Sequence, residues 1–187
     1  MTMLLMAGLF FALVPAASLA SPISPRGPTS QLMSSPGRCV GENINSTQRR
    51  GAAIQAMTCL TNIARKRVGR RSVSGNVRLD NSASSKGADI IGCTVFSHTA
   101  CNHSFTWWIA KTYIKQSKCW LAGETIAWGN SSLGSSREIF RAWMNSPTHR
   151  AAILSRQYRE LGLGFRIGNL RGMSGVRVWV MHLGTLC

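Results

Sequence analysis

A chain of 187 residues is long enough for one domain with its own core. Its 22 lysines and arginines face only 6 acids, a net charge of +16, which draws it toward anionic surfaces and polymers. Six cysteines without a single CxxC pair exclude a zinc ribbon and a thioredoxin-type redox site.

The opening stretch, MTMLLMAGLFFALVPAASLA, is uncharged and apolar and ends in Ser18-Leu19-Ala20, with small residues where a signal peptidase reads. Residues 1–20 are therefore expected to be a cleaved signal peptide, unusual only in having no basic residue near Met1. No later apolar run reaches the roughly 20 residues of a membrane span, so the mature protein is expected to be secreted and not transmembrane. Residues 21–46, rich in Ser, Pro and Gly and without periodicity, read as a tether.

A helix is expected from Ser46 or Thr47 to about Val68, with Ala53, Met57, Leu60 and Ala64 on one face and Gly69 ending it. Arg49, Arg50, Arg65 and Lys66 then fall on a solvated side. A weaker helix runs from Asn81 to about Gly92, with Asp80 as its cap. Glu124 to Trp128 is a strand candidate. Ser135 and Glu138 form a capping box ahead of Ile139, Phe140 and Trp143, and Pro147 opens a further helical turn. Val176, Val178 and Val180 alternate with Arg177, Trp179 and Met181, which with Leu161–Ile167 predicts two antiparallel strands joined through GNLRGMSG. Helices first and strands last give an α+β layered domain over residues 47–187.

Export makes disulfides the natural use of the cysteines. The preferred pairing is Cys39 with Cys59, Cys93 with Cys101 and Cys119 with Cys187. The second pair is the best founded, because it closes a small loop around Phe96-Ser97-His98-Thr99. The basic residues are spread along the chain and no nucleic-acid motif is present. The charge is therefore read as adhesion to anionic cell-envelope polymers or lipids, in preference to specific nucleic-acid binding.

With 6 acids in the chain, each can be weighed. Asp80 and Glu138 serve helix starts, Asp89 and Glu160 sit on surfaces rich in arginine, and Glu42 lies in the tether. Glu124 remains, beside the apolar run Ile126-Ala127-Trp128, where a carboxylate needs a partner. His98 and His149 are the candidates. Two imidazoles and a carboxylate suit zinc or a similar divalent ion, or an acid/base group without metal. His103 is the rival partner for His98, and His182 shares the inward face of Val180 and reads as a core residue. Nucleophile signatures are missing: GNSSLG lacks the spacing of the GxSxG elbow, and the cysteines are committed to bridges.

The segments RLDNSASSKGADI, FSHT, GETIAWG, AWMNSPTHRAAIL and YRELGLGF occur in the order and spacing of bacterial CAP-superfamily, or SCP-like, domains, which the chain resembles from about Thr58 to Gly184. The resemblance implies an α-β-α sandwich with a central antiparallel sheet and a cleft carrying two histidines and acids. Those positions map to His98 in FSHT, Glu124 in GETIAWG and His149 in SPTHR. All three are the implied catalytic or binding residues, His98 and His149 the implied metal ligands. Thr125 and Thr148 replace the usual Asn and Gly, and the second acid of plant and animal members has no counterpart here. The leading expectation is a secreted, disulfide-stabilised protein binding a small ligand, lipid-like ones included, or a divalent ion such as zinc. A zinc- or His/Glu-dependent hydrolase and a non-catalytic wall protein are the alternatives.

Overall fold

Alternation in the last third of the chain builds a sheet that is buried on both faces. The computed structural model describes residues 22–115 and 117–187, without the side chain of Thr47; the expected signal peptide lies outside the described residues. Its strands are β1 (Ser74–Gly75), β2 (Trp120–Gly129), β3 (Glu160–Leu170) and β4 (Met173–Leu186), in the order β1-β3-β4-β2. β4 pairs antiparallel with both β3 and β2, and β1 joins β3 in parallel.

Trp179, Met181 and Leu183 of β4, with Leu163 and Phe165 of β3, form one face of the sheet. They pack against helices α2 (Arg50–Arg67), α5 (Ser136–Asn145) and α6 (Pro147–Ile153). Val176, Val178 and Val180 point the other way, to α3 (Val77–Gly92) and the short α4 (Thr106–Ile109). Helices thus cover both sides of a mostly antiparallel sheet, an α-β-α sandwich closed by the cystines Cys39–Cys59, Cys93–Cys101 and Cys119–Cys187.

α3 lies unusually close to the sheet. A Cβ added at Gly162 or Gly164 would fall inside contact distance of the α3 backbone at Leu79–Asp80 and Ala83–Ser84. The glycines of LGLGF are what allow that approach.

Several local expectations are corrected. α3 begins at Val77, not Asn81, because the Asn76 side chain accepts from the Arg78 and Leu79 amides and caps it. Asp80 is not the cap; its carboxylate accepts from the Leu163 amide and ties α3 to β3. Arg65 is not on a solvated face. It is fully buried, and its guanidinium donates to the carbonyls of Arg71, Ile153, Ser155 and Tyr158, a stable alternative to water for a group that stays charged.

The expected tether is a strap. It contains a helical turn, α1 (Thr29–Leu32), and Leu32, Met33 and Cys39 are buried in the core shared with α2 and α5. Three arginines pin its backbone. Arg67 donates to the carbonyls of Gln31 and Met33, Arg150 to Gly27 O and Thr29 Oγ1, and Arg137 to Ser34 O. Arg137 also pairs at 3.1 Å with the buried carboxylate of Glu42. A segment with no periodicity of its own is ordered here by side-chain donors that satisfy its carbonyls, which composition does not reveal.

Candidate functional site

Glu124 sits midway along β2, the edge strand beside β4, directly across from His182. His182 shares the α3 face with Val178 and Val180, so the carboxylate and the imidazole meet under that helix. His182 Nε2 lies 2.8 Å from Glu124 Oε2, and His98 Nδ1 lies 2.6 Å from Oε1. Both carboxylate oxygens are thus occupied by imidazole nitrogens. On the far side of the His182 ring, Ser82 Oγ stands 2.7 Å from Nδ1.

The protonation pattern follows from burial. His182 is completely buried, which pushes its pKa down despite the raising effect of the Glu124 hydrogen bond and charge, so the ring is neutral. Burial alone would raise the Glu124 carboxyl, but the hydrogen bonds from His182 and His98 and the charge of Lys86 leave it below its ordinary value. His182 then donates Nε2–H to an ionised Glu124 and accepts the Ser82 hydroxyl at Nδ1. His98 donates Nδ1–H to the same carboxylate, and in its neutral form its Nε2 lone pair remains for a ligand.

Helix α3 supplies more of the site than Ser82. Lys86, one turn on, is buried. Its Nζ donates to the His98 carbonyl at 2.8 Å and sits 3.8 Å from the centroid of the Trp108 ring. Burial lowers its pKa, while Glu124 and Asp89 raise it. Asp89, a further turn along, accepts from Trp108 Nε1 at 2.7 Å. The ammonium thus balances buried negative charge and fixes the backbone of the loop that carries His98.

That loop is closed by Cys93–Cys101, as the spacing predicts. His98 is half exposed on its side-chain surface, while Glu124 is buried beneath it. His103 plays no part: its ring stacks on Trp107 at 3.8 Å, nearly parallel.

The structure brings together two of the three residues expected from sequence. His149, on α6 just after Pro147, is partly buried, and its pKa is lowered first by burial and then by the charge of His98. It makes no hydrogen bond to His98 or Glu124 among the described residues. No cluster of three His, Cys, Asp or Glu side chains suited to a metal ion occurs among the described residues.

Sequence reasoning missed Ser82, Lys86 and His182 as parts of the site. Ser82, Lys86 and Asp89 recur at i, i+4 and i+7, a polar line on the same helix as the buried Leu79, Ala83 and Ile90. That line was a readable signal. The meeting of His182 with Glu124 depends on strand register, which spacing along the chain does not contain.

The model of the cysteine-rich secretory protein family, CAP, matches residues 59–183. The chain belongs to the CAP family. A Bacillus subtilis relative, the uncharacterized protein YkwD, is 28% identical over 128 residues, 66% of this chain and 48% of its own; this chain spans about half the length of that relative. Among solved structures, an outer surface protein from Borrelia burgdorferi aligns over 79% of this chain and 99% of its own, with a TM-score of 0.59 and 18% identity. An extracellular Bacillus anthracis protein containing an SCP domain gives 0.58 at 22% identity, over 71% of this chain and 40% of its own. At such identities the likeness is one of fold. In this CAP chain the carboxylate at Glu124 is served on its inner oxygen by a histidine, His182.

Proposed function

We propose that the protein is an extracellular CAP-domain binder whose His98/His149 cleft, oriented by Glu124, takes a divalent ion such as zinc or a small ligand. The observation that carries this is the 2.6 Å bond from His98 Nδ1 to a carboxylate whose other oxygen is already held by His182. A ring nitrogen donating to a fixed carboxylate leaves the opposite nitrogen basic, aimed and available. His149, partly buried on α6, is the second imidazole of the proposed cleft, its pKa lowered by burial and by the charge of His98. A divalent ion bound there would supply Lewis-acid polarisation and water activation. The extracellular setting is supported by the cystines and by relatives described as extracellular or outer-surface proteins. Among the described residues no helix is long and apolar enough to cross a membrane.

A hydrolytic reading would have to run through His98. Glu124 has no oxygen free to take a proton from water, whereas His98 Nε2, backed by a carboxylate, has the arrangement of a general base.

The test is zinc calorimetry on the oxidised protein from residue 21 onward, beside the His98→Ala/His149→Ala variant. One saturable site lost in the variant is expected. Equal heats from both proteins would overturn the metal reading.

A further inference from the structure

The strap creates a second feature, which none of the histidines lines. Three cavities, of about 540, 530 and 390 Å³, follow it along the surface. Arg26, Arg70, Arg150 and Arg156 line the first. Thr29, Ser34, Arg67 and Arg141 are among those lining the second, and Arg38, Lys66 and Arg67 line the third. The cavities adjoin one another. Arg150 of the first donates to Thr29 of the second at 2.9 Å, and the second and third share Ser34, Ser35 and Arg67.

The lining charges divide by role. Arg67 and Arg150 hold the strap by its carbonyls, Arg70 donates to Leu154 and Val68, and Arg137 and Arg141 are paired with Glu42 and Glu138. Arg26, Arg38, Lys66 and Arg156 are exposed, and their side chains have no hydrogen-bond or ion-pair partner among the described residues. No Asp or Glu lines any of the three cavities, and no Phe, Tyr, Trp or His does either.

That combination narrows the ligand. Unpaired cations spaced along a groove, with hydroxyls between them, suit a chain of phosphodiesters. Single-stranded nucleic acid is held by aromatic stacking as well as charge, and the groove offers no ring to stack on. We propose that the strap groove docks a linear poly(polyol phosphate), an anionic envelope polymer with phosphates and hydroxyls but no bases. This rests on the reading of the protein as extracellular and attracted to anionic material, and not on ligand binding at His98.

The experiment measures binding of poly(glycerol phosphate) by fluorescence anisotropy over a salt series, with the whole mature protein. The groove variant is Arg26→Gln/Arg38→Gln/Lys66→Gln/Arg156→Gln. A control variant removes the same charge elsewhere on the surface: Arg78→Gln/Lys115→Gln/Lys118→Gln/Arg171→Gln. The groove variant is expected to lose affinity about tenfold or more and to show a flatter dependence on salt, since each lost phosphate contact removes roughly 0.7 from the log–log slope. The control is expected to lose less than about threefold by the same screened, long-range effect. Equal losses in the two variants would overturn the proposal, because net charge would then suffice. So would groove-dependent binding of an oligothymidylate as tight as that of the polymer, or tighter binding to phosphatidylglycerol vesicles than to the polymer. The His98→Ala/His149→Ala variant separates the two readings: it should bind the polymer unchanged, whether or not it binds zinc, and loss of polymer binding there would place the polymer in the cleft and overturn the groove.

Discussion

The two faces of β4 are equally buried, and they are built on different principles. Trp179, Met181 and Leu183 meet α2 and α5 in an apolar layer, where area removed from water supplies the stability. Val178 and Val180 begin a similar layer under α3, but His182 continues it and draws in Glu124, Ser82 and His98. An apolar layer tolerates approximate complementarity, whereas a buried polar chain is favourable only when every member is satisfied. The second face therefore specifies a geometry, and it holds Glu124 and His98 of the proposed site.

The sharpest way to break the comparison is on the apolar face. Trp179→Ala should cost about 3–5 kcal/mol, measured by chemical denaturation, while leaving any zinc binding at His98 intact in the folded fraction. Next comes the polar chain. His182→Leu removes a donor from a buried carboxylate and should cost about 2–3 kcal/mol in the same assay, and zinc or ligand affinity should fall as well, because Glu124 is no longer held for His98. If affinity is unchanged, the inner histidine is structural only. Gly164→Ala should follow at about 1–3 kcal/mol, since its methyl group meets the α3 backbone at Ala83. It should disturb the site more than the apolar face, because α3 carries Ser82 and Lys86.

The smallest effect is on pH. His182 has a folded-state pKa below its ordinary 6.5, so below about that pH the unfolded chain binds the extra proton and stability falls. Glu124, also depressed, adds a loss in the same direction at lower pH, as the carboxylate protonates. Melting temperature should therefore decline as pH is lowered from about 6.5. In His182→Phe that decline should be shallower, with the part due to the partly buried His149 remaining. A slope unchanged in the variant would mean that the inner ring is not the group responsible.

Much of this was legible in the residues, and the omissions have physical causes. The period-two run at Val176–Val180 and the Ser135 cap marked β4 and α5 correctly, because both are local patterns. Ser135 Oγ does accept from the Glu138 amide, but Glu138 turns to Arg141 and leaves the box half made. Burial of Arg65 was not legible: its partners are backbone carbonyls, which leave no mark on side-chain pattern. The strap failed for the same reason, since Arg67, Arg137 and Arg150 lie far along the chain from the carbonyls they hold. The pairing of His98 with Glu124 came from elimination among the six acids and was strengthened by motif resemblance, while His182 needed the β2–β4 register. Asp80 was misassigned because a carboxylate near a helix start is usually a cap, and here Asn76 had already taken that role.

The small ring between Cys93 and Cys101 has a practical bearing on how the protein is handled. His98 hangs from that ring, and Lys86 grips its carbonyl from below. Thiol reductants, common in storage buffers and in activity screens, would open the ring and loosen the aim of the imidazole, and they would act on Cys39–Cys59 and Cys119–Cys187 as well, at a cost of about 2–5 kcal/mol for each bridge lost. They would also compete for zinc. The zinc and polymer assays therefore call for protein kept oxidised throughout.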